Sequence, residues 1–565
     1  MQAAEAMALF LEQHGVELVA GQSLPSALHL ALPQTGIRQI QVRTENAGTA
    51  ICDAYARIAG KVAVMTAQNG PAATLLVPGL AEALKASVPI VAIVQEVNAD
   101  QRDRNAFQEC DHLALFAGCA KWVGRVENAT RIYDYLNLAL TQALTGRPGP
   151  AVLLVPADVL LQPAPPLPTI VAPRSAYPLD RVAADPEAIE TAAALLAAAQ
   201  RPLIVAGGGV HSSRACEQVS LLQQEFGIPV ATTVMGKGAV DETRRLSLGV
   251  VGHVLGARAP NRASRQYLEA ADLVFLVGTR TNQNGTDSWT QLPRDARFIH
   301  LDIDGVEVGR NYESFRLVGD ARLTLEALIA LLRTRFGPEA GTERAARLER
   351  QIAPRRALDA CIPEGAAGTV RPERVVEAID RLAPDDAILV ADASYASVWL
   401  AAFGVARGAG RRFLTPRGLA GLGWGLPYML GAKLARPSAT VIGLCGDGGF
   451  AHVWSELETA ARSGLAFVCI VLKNGVLGYQ RDAELVKFGA HTNAIPIAEI
   501  DHAAIARACG CVGISVEAPG DLEGALEQAL SLDRPVVLDL RTDPTAFPPV
   551  TLLDSLIGEP ANAEA

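Results

Sequence analysis

Short apolar runs alternate along the chain with stretches whose hydrophobic positions recur every three or four residues. The runs are "KVAVMTA", "PIVAIVQ" and "AVLLVPA" early on, "PLIVAGGG", "LVFLVGTR" and "FIHLDID" in the middle, and "AILVADAS", "ATVIGLCGDGG", "AFVCIVLKN" and "PVVLDLR" towards the end. Continuous β-branched runs between amphipathic helices predict parallel sheets covered on both faces. Two stretches break this rhythm. Leu161 to Asp180, "LQPAPPLPTIVAPRSAYPLD", is proline-rich and reads as an extended linker; Gly337 to Ala357 is charged and helix-prone. They divide the chain into about 1–165, 180–335 and 368–550, each near the usual domain size. The predicted fold class is α/β, with three doubly wound parallel-sheet domains. No short-period repeat is visible, and the residues after about Pro549 read as a tail.

Composition supports this picture and narrows the function. A chain of 565 residues, 50% hydrophobic and 19% charged, is globular and too long for one core. A formal charge of −10 argues against a general nucleic-acid surface. Nine scattered cysteines, with Cys509 and Cys511 the only close pair, suit reduced core thiols better than disulfides or a zinc site. The opening "MQAAEAMALFLEQHG" carries acids at Glu5 and Glu12 and lacks the basic start of a signal peptide. No run of about 18 apolar residues predicts a membrane span. The expectation is a soluble, cytoplasmic protein with no nucleic-acid or membrane partner.

Chemistry concentrates at "VIGLCGDGGFAHVWSELETAARSG", which begins at Val441. An apolar strand runs into Gly446-Asp447-Gly448-Gly449, and a helix is predicted from about Ala451 to Arg462 with Gly464 as its C-cap. The next strand, "LAFVCIVLK", ends at Asn474-Gly475, 27 residues after Asp447, which is one strand–helix–strand crossover. If the two strands are neighbours, Asp447 and Asn474 meet at one sheet edge, where ligands of such folds bind. A carboxylate and an amide oxygen are hard ligands suited to Mg²⁺. Glycines let backbone N–H groups approach a phosphate at a helix start. The plain alternative is a glycine turn with a capping aspartate.

"GDGGF" followed by "KNG" resembles the cofactor motif of thiamine diphosphate (ThDP) enzymes, which begins GDG and ends in Asn-Asn or a close variant; Lys473 stands at the first of those positions. The resemblance implies Mg²⁺ held by Asp447, Asn474 and the carbonyl of Val476, with Gly446, Gly448, Gly449 and Phe450 around the diphosphate. "QVRTENAGTAICDAYARIAGK" is similar to the pyrimidine domain of acetohydroxyacid (acetolactate) synthase-like enzymes, where a strand-end glutamate precedes a YAR-x-x-GK element. Glu45 matches the cofactor-activating glutamate, Tyr55-Ala56-Arg57 and Gly60-Lys61 match the element, and Thr44 replaces the usual His. Spacing by itself reads Glu45 as a first-turn carboxylate favoured by the helix dipole. Asn69 and Gly70 are implied as cofactor-binding, and Ser394 and Tyr395 in "ADASYASVW" beside the diphosphate. Leu422 matches the apolar wedge between the two cofactor rings; without the resemblance it is core. Phe107 and Gln108 in "NAFQECDH" match a substrate-side segment; composition alone makes Phe107 a core aromatic.

The middle third also resembles this family, whose synthases bind a structural FAD there, while related lyases bind an adenine nucleotide or CoA. Arg147, Gly207, Gly208, Gly209, Arg280, Asp302 and Asp320 fall at flavin-contacting positions. The synthase run Phe-Asp-Asp-Arg reads Thr281-Asn282-Gln283-Asn284, a lysine position is Ala157, and the late Trp-bearing segment reads "GYQRDAELVKFG". Two readings stay open there: an FAD or nucleotide site, or a Rossmann-like scaffold. The resemblance covers essentially the whole chain. It implies a ThDP- and Mg²⁺-dependent enzyme that makes or breaks a C–C bond next to a carbonyl of a 2-oxo acid or acyloin. Its unit would be a homodimer or homotetramer whose active site spans the subunit interface. Acetolactate synthase-like carboligation leads; 2-oxo acid decarboxylase, acyloin lyase and 2-hydroxyacyl-CoA lyase are the alternatives, with a non-catalytic scaffold member as a reading of another class. His112, His452 and His491 read as structural or solvated. The choice of substrate rests on the poorly matched surroundings of Phe107, Leu422 and Gln480.

Overall fold

Every apolar run singled out above forms a strand in the computed structural model, which describes residues 1–169, 171–337 and 339–557. The first sheet contains β1 (Leu18–Gly21), β2 (Arg38–Gln41), β3 (Ala63–Ala67), β4 (Ile90–Glu96), β5 (Trp122–Arg125) and β6 (Ala151–Pro156), in the order β2-β1-β3-β4-β6-β5. The second contains β7 (Pro202–Ala206), β8 (Val230–Thr232), β9 (Ser247–Val250), β10 (Leu273–Val277), β11 (Arg297–Asp302) and β12 (Phe315–Val318), ordered β12-β11-β10-β7-β8-β9. The third contains β13 (Ile388–Ala391), β14 (Phe413–Leu414), β15 (Val441–Gly446), β16 (Val468–Lys473), β17 (Val512–Val516) and β18 (Val536–Arg541), ordered β14-β13-β15-β16-β18-β17. All the pairings are parallel. Central strands such as β3, β10 and β13 are buried along their whole length, because helices cover both faces.

The first and third sheets share one hydrophobic core. Helix Gly425–Ala435 packs on helix Glu45–Ala59 at the join. Gly431 makes that contact possible: a Cβ there would lie 2.3 Å from the Ile51 carbonyl oxygen. Arg57 crosses the same join, donating to the Thr415 carbonyl at 3.2 Å and to the Tyr428 hydroxyl at 3.1 Å while pairing with buried Asp53.

Three expectations need correction. The proline-rich stretch is not a free linker. Ser175 accepts from the Val62 amide, the Tyr177 amide donates to the Gly60 carbonyl, and the buried Tyr177 ring places its hydroxyl 3.0 Å from the Ala56 carbonyl. One backbone donor and two carbonyl acceptors around the end of helix Glu45–Ala59 and the start of β3 are thereby paired. The supposed tail continues as a docked 3-10 helix, Thr551–Leu556, with Leu553 buried; residues 558–565 lie outside the described residues. The helix predicted from Ala451 begins instead as a short turn of helix, Asp447–Phe450, and resumes only at Glu456–Ser463. Its C-cap is Gly464 at φ 61, as expected for a left-handed cap.

All nine cysteines are free thiols. No helix among the described residues is long and apolar enough to cross a membrane.

Candidate functional site

β15 and β16 are hydrogen-bonded neighbours, with Gly446 opposite Leu472. Their carboxyl ends therefore bring Asp447 and the Asn474-Gly475 turn together. Asp447 Oδ2 accepts from the Gly475 amide at 2.8 Å, and Oδ1 from the Gly448 amide at 2.9 Å. Asn474 Oδ1 accepts from the Val476 amide at 3.2 Å. Burial pushes the Asp447 carboxyl above the usual carboxylate range, and the surrounding amides oppose that rise. These groups line a cleft of about 460 Å³. Gly446 has nothing within 4 Å of where a Cβ would sit, so its glycine leaves room for a ligand rather than relieving a protein contact.

The opposite wall starts at β13. Asp392 is fully buried; its Oδ1 accepts from Ala393 and Trp424 amides at 2.8 and 3.0 Å, and its Oδ2 from Gly423 at 3.0 Å. It thereby fixes the backbone that carries Leu422. Leu422 lines the cleft and is 38% exposed, so it is not core. Ser394, at φ 63, and Tyr395 also line the cleft; the Tyr395 hydroxyl donates to Asp482 at 2.6 Å. Phe450 does not line it. Its ring is buried, edge-on to His502, in the core beneath the glycines. Sequence reasoning missed Asp392, although it shares the signal that exposed Asp447: an acid at the end of an apolar strand.

Among the described residues, no three His, Cys, Asp or Glu side chains cluster as metal ligands. The donors at the cleft floor are one carboxylate, one side-chain amide oxygen and main-chain carbonyls, the hard oxygen set that suits Mg²⁺ sharing its shell with a ligand's phosphates.

Glu45 does not line this cleft within one chain. It is the first residue of helix Glu45–Ala59, capped by Thr44, whose hydroxyl accepts from the Ala47 amide at 3.2 Å. Burial pushes the Glu45 carboxyl upwards. Asn69, Gly70, Phe107 and Gln108 form a second group on the first domain. Asn69 donates to the Phe107 carbonyl at 3.1 Å, and Gln68 donates to Gln108 at 2.6 Å. Gly70 has φ 65, and a Cβ there would lie 2.5 Å from the Gln108 carbonyl oxygen. Phe107 is 83% exposed, which overturns its reading as a core aromatic. His112 is structural: Nδ1 donates to Glu96 at 3.1 Å and Nε2 accepts from the Gly70 amide at 3.1 Å. His452 and His491 are exposed.

The middle domain carries a cavity of about 130 Å³, beside one of about 780 Å³ that shares Arg147, Pro148, Arg280, Asn282 and Glu307 with it. Gly208, Gly209, Asp302 and Asp320 line the smaller one. Several of these residues have internal work. Arg147 lies 3.3 Å from Asp304 and 3.4 Å from Glu307. Asp320 binds Arg181 and Ser213 and caps helix Ala321–Arg335. Gly207 and Gly209 press against Gly278. Arg280 and Asp302 keep their side chains towards the cavity; burial beside Asp304 and Glu307 raises the Asp302 carboxyl to about 6. Asn282 faces the cavities here, Asn284 lines the Asp447 cleft, and Ala157 begins helix Ala157–Leu161.

Three matches to known domains follow this geometry: the thiamine pyrophosphate enzyme N-terminal TPP binding domain over residues 1–115, the central domain over 189–328, and the C-terminal TPP binding domain over 392–540. Thiamine pyrophosphate is ThDP. Full-length relatives agree. The probable acetolactate synthase large subunit of Methanococcus aeolicus is 30% identical, covering 99% of this chain and 95% of its own length. That of Methanocaldococcus jannaschii is 31% identical over 97% and 93%. The acetolactate synthase large subunit of Haemophilus influenzae is 31% identical over 96% and 95%. Three α/β domains in the matching order, with the acid–glycine–asparagine cleft in the third, place the chain: it belongs to the acetolactate synthase large-subunit family of ThDP-dependent enzymes.

Proposed function

We propose that the cleft between β13, β15 and β16 holds ThDP with Mg²⁺, and that the enzyme uses it on a 2-oxo acid in the manner of an acetolactate synthase. The observation that carries this reading is the meeting of Asp447 with the Asn474-Gly475 turn over a glycine floor that leaves space for a diphosphate. Asp447, the Asn474 side chain and the Val476 carbonyl would hold the metal. Ser394, Gly446, Gly448 and Gly449 would frame the diphosphate, and Leu422 would support the cofactor between its rings. When bound, ThDP supplies a carbanion equivalent for bond making or breaking next to a carbonyl.

Glu45 would hold the proton shared with the cofactor's pyrimidine nitrogen, a task suited to a carboxyl whose pKa burial has raised. Because Glu45, Asn69, Phe107 and Gln108 do not line the cleft of their own chain, they are assigned to the cleft of a second subunit. The functional unit is then at least a homodimer. Exposed Phe107 and strained Gln108 at φ 60 would close over the substrate there. In the middle domain, Arg280, Gly208 and Asp302 suit an FAD or related nucleotide, with structural Arg147 and Asp320 shaping the walls.

Turnover on a panel of 2-oxo acids, acyloins and 2-hydroxyacyl-CoAs, with product analysis, tests this reading. Acetohydroxy acid formation from two 2-oxo acids is expected. An aldehyde as sole product would make the enzyme a decarboxylase, and no turnover with ThDP and Mg²⁺ bound would refute the assignment. Flavin absorbance in the purified protein decides the middle-domain occupant.

A further inference from the structure

Arg417 stands where the ThDP-type cleft meets the middle-domain cavity and lines both. Its guanidinium is unpaired. Nε and Nη2 are buried without a hydrogen-bond partner, and among the described residues no carboxylate lies within ion-pair distance of it. Burial lowers its pKa to about 10. A buried cation without a counterion is costly, and a fold tolerates one where a ligand completes the pair.

The acids nearby are already occupied. Glu82 is the carboxylate whose charge reaches Arg417, and its two oxygens accept from the amides of Gly418, Leu419 and Ala420 at 2.6, 2.5 and 3.1 Å. Asp392 is saturated by backbone amides, and Asp543 pairs with Arg371 at 3.0 Å. Asp447 is held by the Gly448 and Gly475 amides at the floor. The other neighbours in the cleft include uncharged Asn284, Tyr479 and Gln480. His253 joins them as a neutral ring: burial first, and Arg417 second, lower its pKa to about 4.

The position is also fixed in advance. Glu82 clamps the three residues after Arg417, and Arg57 holds the Thr415 carbonyl two residues before it. The planar fork is therefore presented from a backbone pinned on both sides, which lowers the ordering cost of binding.

We propose that Arg417 is the anchor for the carboxylate of the substrate, and so a specificity-determining residue that makes the site select acids over uncharged carbonyl compounds. The inference rests on the ThDP reading above for where the reaction occurs, but the anion site itself does not require turnover. The carboxylate could belong to the first 2-oxo acid or to the acid that accepts the fragment; both present the same group to the guanidinium.

The test uses full-length R417Q and R417K, the second keeping the charge without the fork. Oxamate, an unreactive 2-oxo acid analogue, is titrated by tryptophan fluorescence into protein without ThDP. Pyruvate against methyl pyruvate at the donor step, the ester read as an inhibitor because it has no carboxylate to lose as CO₂, and 2-oxobutyrate against propanal as acceptors, are then compared in the ThDP- and Mg²⁺-loaded enzyme. Oxamate affinity should fall on the order of 10–100-fold in R417Q, and by a smaller factor in R417K. The KM of the acid of one pair should rise while the neutral partner's constant (Ki for methyl pyruvate, KM for propanal) stays unchanged; which pair responds tells donor from acceptor. If R417Q does not fold, the smaller oxamate shift in R417K carries the test. Unchanged oxamate affinity and unchanged acid-to-neutral selectivity overturn the proposal, as does a loss confined to ThDP affinity. Absence of turnover in the wild-type enzyme, with oxamate binding still lost in R417Q, would remove the ThDP reading and leave the anion site standing.

Discussion

Replacing Glu456 should disturb Glu45, the proposed cofactor-activating residue, from a distance. Glu456 is fully buried on the third domain, yet its Oε1 accepts from the amides of Arg43 and Thr44 at 2.9 and 3.1 Å, and its Oε2 from the Thr459 hydroxyl at 2.7 Å. These two amides immediately precede Glu45, so Glu456 ties the start of its helix to the neighbouring domain. Glu456→Ala leaves two partly buried amides and a hydroxyl unpaired. At the low end of about 1–3 kcal/mol per unsatisfied group, the cost is about 2–4 kcal/mol. Glu456→Gln keeps an oxygen for both amides, lets its NH₂ donate to Thr459, and removes a carboxylate whose pKa burial has already raised. Its cost should stay within about 1 kcal/mol. Urea unfolding reads the stability, and deuterium exchange at C2 of bound ThDP reads the placement of Glu45. Exchange should slow on the order of tenfold to a hundredfold in the alanine variant. Wild-type unfolding and exchange in Glu456→Ala, or equal damage in Glu456→Gln, would refute the reasoning.

The shared-site arrangement predicts complementation: co-assembled Glu45→Gln and Asp447→Ala subunits, each inactive alone, should recover about a quarter of wild-type activity through heterodimers with one intact site; no recovery would place both residues in one chain's site. Asp302 supplies a pH test. Its folded pKa of about 6 lies above the ordinary value of 3.8, so the native state holds more protons between those values and loses stability as pH rises through that window. Asp302→Asn should therefore stabilise the ligand-free protein by about 1–3 kcal/mol near about pH 7.5, with the gain vanishing near about pH 4. A thermal-midpoint difference that is constant with pH would contradict this.

The central strands were legible because burial on both faces writes itself as unbroken apolar sequence. Edge strands were harder: β2 is "RQIQ", with three of its four positions at least partly exposed, and β14 is two residues long. The helix after Asp447 misled for a related reason. "AHVWSELETAARSG" has helical spacing throughout, but Asp447–Phe450 turns away first, and only Glu456–Ser463 continues as helix. The Asp447–Asn474 pairing was readable from a 27-residue crossover, since adjacent parallel strands fix where both ends fall. Arg417, Glu82, Asp392 and Glu456 were not. Glu82 and Glu456 act through partners hundreds of residues away, such as Glu456 on Thr44 across 412 positions, and no local pattern marks them or Arg417; Asp392 carries the strand-end signal of Asp447 without its run of glycines. Phe107 and Leu422 shared this difficulty in reverse: their apolar character predicts core, and only the fold shows them facing cavities or solvent.

Calorimetric titration of ThDP into the wild-type protein and Asp447→Ala, with and without Mg²⁺, tests the central claim most directly. Binding to the wild type should require the divalent ion. It should weaken at least on the order of a hundredfold in the variant, since even outer-shell partners of a metal site typically contribute up to that factor. Equal affinity in both proteins, or tight binding without a divalent ion, would contradict the assignment of Asp447 as the anchor.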